Sequence, residues 1–130
     1  MAKPRGEITI QTLAMPADTN ANGDIFGGWL VSQMDLSAGI LAKRVAKGRV
    51  ATVAINSMTF LMPVHVGDMV SCYVELVKLG NTSITIAVEV WTEALATGEK
   101  YRVTEGTFIF VAIDEQRKPR QVPKQVWRLI

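Results

Sequence analysis

The chain has 130 residues, which is the length of one domain and leaves no room for a second. Apolar residues make up 48% of it and charged residues 20%, so the composition excludes a disordered or collagen-like protein. The net charge of +2 is too weak to indicate nucleic-acid binding. Five of the 14 basic residues lie within residues 116–130, which contain no acid and form a basic C-terminal tail.

The chain has one cysteine, Cys72, and one histidine, His65. These counts exclude an intrachain disulfide, a paired-cysteine redox motif and a structural zinc site within one chain. The first seven residues lead into a short strand-like run and not into the apolar stretch of a signal peptide, so we expect a cytoplasmic protein. Residues 25–42 are weakly charged but too polar for a membrane span, and no membrane partner is expected.

The first half of the chain is predicted to contain one strand and one long helix. Residues 8–13 have the pattern of a strand, and residues 14–24 form a loop rich in Pro, Asp, Asn and Gly. Residues 25–46 contain no proline and end in basic residues before Gly48, a combination typical of a helix that stops there. The chain is therefore predicted to cross the domain once as a helix.

From residue 50 onward the apolar residues recur with period two, which indicates β-strands. Four strands are predicted, at residues 50–60 (with a possible break near Asn56-Ser57), 69–79, 83–94 and 100–113. Residues 63–68 form a turn, and residues 80–82 and 97–99 form hairpin-like connections. This order predicts an α+β fold with the helix packed on one face of an antiparallel sheet.

The predicted helix carries apolar side chains in nearly every direction, which indicates a helix covered on most sides. These residues are Trp29, Leu30, Val31, Met34, Leu36, Ile40, Leu41 and Val45. A curved sheet can wrap one side of the helix, and a second subunit can cover the rest. A long apolar strand at an open sheet edge also invites pairing with a neighbour. We therefore predict a homodimer at minimum.

Asp35 is the main candidate for chemistry, because it is the only charged residue in the first 18 residues of the predicted helix. Burying an unpaired carboxylate is costly, so a chain seldom keeps one in an apolar helix without a reason. Small residues surround it on the helix, at Gly28, Ser32, Ala38 and Gly39. They leave space for a ligand or for a close partner backbone. A structural role, with Asp35 bound to a backbone N–H of a partner subunit, is an equal alternative.

The start of the helix is the second candidate, because Gly27 and Gly28 follow Asp24-Ile25-Phe26 there. Backbone N–H groups at the positive end of a helix can hold an anion or a developing oxyanion. Glycine allows a ligand to approach the backbone closely. From these residues alone the alternative is favoured, in which Asp24 caps the helix and the glycines permit tight packing.

Two polar loops are weaker candidates. Asn20 offers an amide that can position a water or a carbonyl, although Asn and Asp are common in turns that bind nothing. The second loop can present N–H and hydroxyl donors to a phosphate, although from these residues alone an ordinary tight turn without a ligand is the favoured explanation. It consists of Lys78, Leu79, Gly80, Asn81, Thr82 and Ser83.

Other catalytic arrangements find less support in the sequence. The chain contains no Gly-x-Ser-x-Gly elbow, no Walker A motif and no dinucleotide fingerprint. A Ser-His-Asp triad would require His65, which falls in a turn. Cys72 falls in the middle of a strand and is predicted to be a buried small apolar residue rather than a nucleophile.

The run from Met15 to Trp29, MPADTNANGDIFGGW, and its continuation through Ser32-Gln33-Met34-Asp35 closely resemble the YciA type of acyl-CoA thioesterases, a hotdog-fold family. The resemblance covers nearly the whole chain, to about Ile113. Further similar segments are Gly48-Arg49-Val50, Thr59-Phe60 with Pro63, Val66-Gly67-Asp68, Gly80 to Ser83 and Val88 to Trp91.

The resemblance implies a single hotdog domain over residues 1–130, in which a curved antiparallel sheet of about five to six strands wraps a long helix. It implies dimers with two active sites at the interface, often assembled as a trimer of dimers. The implied reaction is hydrolysis of acyl-CoA to a free acid and CoA, so coenzyme A belongs to the substrate and product. Because a thioester is a reactive acyl group, no metal or other cofactor is expected.

The resemblance also assigns site residues. It places the helix carboxylate on Asp35, the loop asparagine on Asn20 and the polarising backbone N–H on Gly28, with Gly27 adjacent. The loop and helix start come from one subunit and the carboxylate from the other. The hypothesis is that Asp35 acts as general base on a water, or as a nucleophile that forms an anhydride. Asn20 then orients the water or the carbonyl.

The CoA phosphates need cationic and N–H partners. The candidates are Arg49, Lys78, the hairpin residues Gly80, Asn81, Thr82 and Ser83, and tail residues such as Arg117, Lys118 and Arg120. Two other functions stay open at this point. One is another hotdog activity, a hydratase or dehydratase, for which only His65 is available as a histidine. The other is a non-catalytic acyl-CoA-binding module.

Overall fold

The structure is a computed structural model that describes residues 3–123 of the chain. Within these residues it contains one α-helix, α1, and five strands, β1 to β5. The elements are β1 Glu7–Leu13, α1 Gly27–Ala46, β2 Val50–Phe60, β3 Met69–Leu79, β4 Ser83–Ala94 and β5 Glu99–Ala112. Among the described residues, no helix is long and apolar enough to cross a membrane.

The five strands form one antiparallel sheet in the order β1-β3-β4-β5-β2, and α1 contacts all five of them. Alternate residues of β4, namely Ile84, Ile86, Val88 and Val90, are fully buried, as their period-two pattern predicts. Together with the buried side of α1 they form the core. The predicted α+β fold, a long helix wrapped by an antiparallel sheet, is confirmed.

The helix is covered on one side only by its own chain. Leu30, Met34 and Val45 are buried against the sheet, whereas Leu36 is 58% exposed on α1. One concave sheet can enclose only part of a helix surface, so apolar side chains remain outside. The predicted covering on most sides therefore requires something beyond this single chain.

Strand β2 is an edge of the sheet and carries further exposed apolar side chains. It pairs with β5 on one side, and Val53 is 56% exposed while Ile55 and Phe60 are also exposed. The predicted break at Asn56-Ser57 is a bulge within this strand. A long apolar edge strand of this kind can pair with another chain.

The helix begins two residues later than predicted. Its N-cap is Phe26, which makes no side-chain cap hydrogen bond, so the alternative that Asp24 caps the helix is wrong. Ile25 is still extended, because it pairs with Thr19 and its N–H donates to Val64 O at 3.2 Å. The chain is thus tied to the turn after β2 before the helix starts.

The helix ends where predicted, but not through the glycine. Lys47 adopts the left-handed conformation at φ 55°, and its N–H donates to Lys43 O. Gly48 has a different role, since a Cβ there would lie 2.7 Å from Nη2 of Arg120 and would displace this guanidinium. The absence of a side chain at Gly48 makes room for a guanidinium from the C-terminal part of the chain.

Candidate active site

Asp35 lies in the middle of α1, half-buried, and faces strand β2. The Thr52 hydroxyl donates a hydrogen bond to Oδ1 of Asp35 at 2.7 Å. This bond fixes one carboxylate oxygen and leaves Oδ2 available to a ligand or a water. The sequence pattern does not point to Thr52, because nothing in it fixes the register of β2 against the helix. Its nearness to Asp35 is a consequence of packing alone.

The small residues around Asp35 differ in their burial. Ala38 is fully buried in the core, and a Cβ on Gly39 would lie 3.9 Å from the Phe110 ring. Ser32 and Gly28, in contrast, are exposed. The small side chains therefore allow close packing on the side of α1 that faces the sheet, and they leave open space on its other side.

Gly27 and Gly28 are the first two residues of α1, where backbone N–H groups have no partner within the helix. The first N–H bonded back along the helix is that of Leu30, which donates to Phe26 O at 3.2 Å. A Cβ on Gly28 would meet no atom within 4 Å. The surroundings of Gly28 are thus open to a ligand or to another subunit.

An apolar groove of about 350 Å³ adjoins the helix start. It runs between Gly27 and the segment Phe60 to Val64, and Ile25 and Leu30 also line it. Such a groove can hold an apolar chain beside the free N–H groups of the helix.

Asn20 closes the loop that leads into α1. Its side-chain oxygen Oδ1 accepts hydrogen bonds from the N–H groups of Asn22 at 2.9 Å and Asp24 at 3.1 Å. Its own N–H donates to Asp24 O at 2.7 Å. The side-chain oxygen therefore stabilises the turn. The amide NH2 group at Nδ2 is the part of Asn20 that can donate to a ligand.

Gly28 and Asp35 of one chain do not converge on one point. They are seven residues apart on a continuous helix, which corresponds to a rise of about 10 Å. An oxyanion donor acts at about 3 Å from the reacting carbonyl, and a general base needs similar contact with its water. The geometry therefore permits a site between Asp35 of one chain and Gly28 of another, as the resemblance implies.

The main chains of the Gly80–Ser83 hairpin and of Arg49 are both bonded near the C-terminal end of β5. Within the hairpin, the N–H of Gly80 donates to Ser83 O at 2.8 Å, and Thr82 O accepts the N–H of Ala112 at 2.9 Å. Arg49, three residues after the helix end, accepts the N–H of Ile113 with its carbonyl at 3.0 Å. The side chains of Arg49 and Lys78 are exposed. The hairpin and Arg49 thus flank the same end of β5.

Arg120 is occupied within the protein, in contrast to the expectation that it contacts CoA phosphates. Its guanidinium donates to Ala46 O at 2.8 Å and to Ile113 O at 3.1 Å, at the C-terminal end of α1. Arg117 and Lys118 are exposed. The rest of the basic C-terminal tail, from residue 124 onward, lies outside the described residues.

The remaining reactive side chains do not form a site. Burial raises the pKa of the Cys72 thiol from 9.0 to about 11, as expected for a buried structural cysteine. His65 is largely exposed in its turn, with Nδ1 3.8 Å from the Asp68 carboxylate. Between residues 3 and 123, no three His, Cys, Asp or Glu side chains are grouped to hold a metal.

Comparison with known proteins agrees with the fold. Residues 22–99 match the model of the thioesterase superfamily. The chain is 58% identical to the acyl-CoA thioester hydrolase YciA of Salmonella typhimurium over 125 residues, which cover 94% of both chains. The chain belongs to the YciA-type acyl-CoA thioester hydrolases of this superfamily. The aligned region also extends past Ile113, the residue at which the sequence resemblance is predicted to end.

Solved structures place this YciA-type chain among hexameric relatives. HI0827, a hexameric broad-specificity acyl-coenzyme A thioesterase, matches with a TM-score of 0.92 and 50% identity, over 98% of this chain and 89% of that one. The hexameric thioesterase y2039 from Yersinia pestis matches with a TM-score of 0.91 and 56% identity, over 94% and 99% of the two chains. These similarities confirm the hotdog fold.

Proposed function

We propose that this protein hydrolyses acyl-CoA thioesters to a free acid and CoA. The observation that carries this proposal is the identity of 58% over nearly the whole chain to an acyl-CoA thioester hydrolase. The Asp35 carboxylate, held by Thr52 on the open side of α1, supplies a group that can perform the reaction. We propose the cytoplasm as its location.

Asp35 acts as the general base in this mechanism. With Oδ1 fixed by the Thr52 hydroxyl, Oδ2 takes a proton from a water molecule as that water attacks the thioester carbon. The tetrahedral intermediate then expels the CoA thiolate, which is a good leaving group. A direct attack by Asp35, which forms a mixed anhydride that water later opens, is the covalent version of the same step.

Gly28 and Asn20 of a second subunit complete the site. The Gly28 N–H, at the positive end of α1, polarises the thioester carbonyl and stabilises the oxyanion. Asn20 donates from Nδ2 to the water or the carbonyl, since its oxygen is engaged in the loop. The rise of about 10 Å between Gly28 and Asp35 in one chain supports this division between subunits.

A homodimer that covers β2 and the outer side of α1 is the minimal active unit in this proposal. It buries the exposed apolar side chains Leu36, Val53 and Ile55. Because the matched relatives HI0827 and y2039 are hexameric, we propose a trimer of such dimers.

The CoA phosphates bind at the opposite end of α1 in this proposal. The Gly80–Ser83 hairpin offers N–H and hydroxyl donors, and Arg49 and Lys78 add positive charge beside it. Arg117 and Lys118 are further exposed cations on the segment that follows β5.

The proposed activity is tested by thiol release from a panel of acyl-CoA esters of increasing chain length. We expect release with at least one ester, and the panel identifies the preferred acyl class. Saturable binding of the esters without any thiol release would contradict the hydrolase and favour the acyl-CoA-binding module.

Removal of the Thr52 hydroxyl should reduce turnover while substrate binding is kept. We expect Thr52→Val to lower kcat by about tenfold, because a single hydrogen bond to a charged group orients the carboxylate. Thr52→Ser, which keeps the hydroxyl, should retain most of the activity. Thr85→Val makes the same change on the outer face of β4 and serves as the control. Equal activity of Thr52→Val and wild type would exclude this orienting role.

Salt should weaken the binding of acyl-CoA if exposed cations hold its phosphates. We expect KM to rise as salt increases to about 1 M, where the screening length falls to about 3 Å. An N-acetylcysteamine thioester of the same acid, which lacks the nucleotide, should show no such rise. A flat response for acyl-CoA would remove Arg49 and Lys78 from phosphate binding.

A further inference from the structure

The segment that follows β5 folds back over the end of the helix. We call residues 114–122 the C-terminal strap. Its turn is closed by Asp114, whose Oδ1 accepts the N–H groups of Gln116 and Lys118, both at 2.9 Å. The N–H of Asp114 in turn donates to Lys118 O at 2.8 Å. The strap is therefore a specific, hydrogen-bonded structure.

Arg120 fastens the strap to the C-terminal end of α1. Its Nη2 donates to Ala46 O at 2.8 Å, and its Nε donates to Ile113 O at 3.1 Å. A Cβ on Gly48 would lie 2.7 Å from Nη2, so the glycine makes room for the guanidinium. A cation at this end of a helix is also favoured by the helix dipole.

The far end of the strap holds the hairpin between β3 and β4. Val122 is only 2% exposed, and its N–H donates to Asn81 O at 2.8 Å. On its other side the hairpin is bonded to β5, where the N–H of Ala112 donates to Thr82 O at 2.9 Å. The main chain of Asn81 and Thr82 is thus clamped between the strap and β5.

We propose that the strap positions the Gly80–Ser83 hairpin for the CoA phosphates, with Arg120 as its positioning residue. This inference rests on the proposed role of the hairpin in CoA binding. When the hairpin is already held in its binding conformation, substrate binding has no conformational entropy cost for ordering it. A loosened hairpin must be ordered as the substrate binds, and this lowers the affinity. Arg120 therefore acts through the strap and does not touch the substrate.

The test measures KM and kcat for acyl-CoA and for the N-acetylcysteamine thioester of the same acid. For Arg120→Ala we expect KM for acyl-CoA to rise about tenfold with kcat nearly unchanged, since only binding of the nucleotide part is affected. Hydrolysis of the truncated thioester should equal that of wild type, which also shows that the variant is folded. Arg120→Lys keeps the charge but cannot reach both carbonyls, so it should give an intermediate KM.

Asp114→Ala separates positioning from charge. This variant removes a negative charge, so electrostatics alone should improve the binding of CoA phosphates and lower KM. Loss of the bonds that close the strap should instead raise KM by several-fold. A lowered or unchanged KM for Asp114→Ala would overturn the proposal. Lys43→Ala, an exposed cation near the same helix end, is the charge control for Arg120→Ala, and an equal rise in its KM would also overturn it.

Two different outcomes distinguish the role of the strap from the proposed role of the hairpin in CoA binding. If wild type shows the same KM for acyl-CoA and the truncated thioester, the hairpin does not bind the nucleotide. This result contradicts both the binding role of the hairpin and the positioning role of the strap. If wild type prefers acyl-CoA but Arg120→Ala keeps that preference, only the role of the strap is overturned.

Discussion

Replacement of Asp35 by asparagine should lower kcat for acyl-CoA hydrolysis by about 10²-fold or more, since this is the usual cost of a lost general base. Asparagine keeps the size of the side chain and an oxygen that can accept the Thr52 hydrogen bond. What is lost is the ability of Oδ2 to take a proton or to attack the thioester. KM for acyl-CoA should change little, because Asp35 does not contact the nucleotide in this mechanism.

The matched control for this variant is Glu99→Gln, which removes one negative charge from the exposed end of the β4–β5 hairpin. It should retain wild-type turnover. Thermal unfolding and size-exclusion chromatography should show that Asp35→Asn folds and assembles normally. If such a protein turned over within a few-fold of wild type, Asp35 would have no catalytic role and would be a structural residue.

A single turnover in ¹⁸O-labelled water separates the two versions of the Asp35 step. General-base catalysis puts the label only into the released acid. An anhydride opened by attack at its Asp35 carbonyl leaves label in the Asp35 carboxylate, which mass spectrometry of the digested protein detects. Absence of label from Asp35 would favour the general-base route.

Two inactive variants should restore activity when they are mixed as subunits. Asn20→Asp keeps an oxygen to accept the N–H groups of Asn22 and Asp24 but removes the Nδ2 donor. We expect it to lower kcat by about 10²-fold, the usual cost of a lost oxyanion-type donor. In a heterodimer of Asn20→Asp and Asp35→Asn, one of the two sites contains both wild-type residues.

Equal and random mixing of the two variants should recover about a quarter of wild-type activity, since half of the dimers are mixed and each has one intact site. The measurement uses the two variants coexpressed or unfolded and refolded together, with each variant refolded alone as the control. Activity that stays at the sum of the separate variants, in samples shown to contain heterodimers, would contradict a site built from two subunits.

The strands and the helix were predictable because their patterns are local. Period-two apolar residues from Val50 onward, interrupted by turns that contain Pro, Gly or Asn, indicate strands whatever their partners are. The least accurate boundary was the helix start. Ile25 continues the apolar pattern of the helix, but its N–H is bonded to Val64 O, a residue 39 positions away. No local pattern contains such a bond.

The candidate site was only partly accessible to sequence analysis. Asp35 was found because a single acid in an apolar helix stands out by itself, and the resemblance added Asn20 and Gly28. Thr52 has no such signal, since one threonine in a strand is ordinary and only the helix–sheet packing brings it to Asp35. The charge of Arg120 suggests a phosphate ligand, whereas its hydrogen-bond acceptors, the carbonyls of Ala46 and Ile113, cannot be recognised from the sequence.

The sequence by itself determined the α+β class, the long helix with one acid, the strand pattern and the family, because these properties depend on neighbouring residues or on their order. The tertiary structure alone decided which groups meet: Thr52 with Asp35, Val122 with the hairpin, and Arg120 with the helix end that Gly48 leaves open. Such contacts join residues distant in the chain. They arise when packing fixes the register of strands against the helix, and that register is set by the whole core at once.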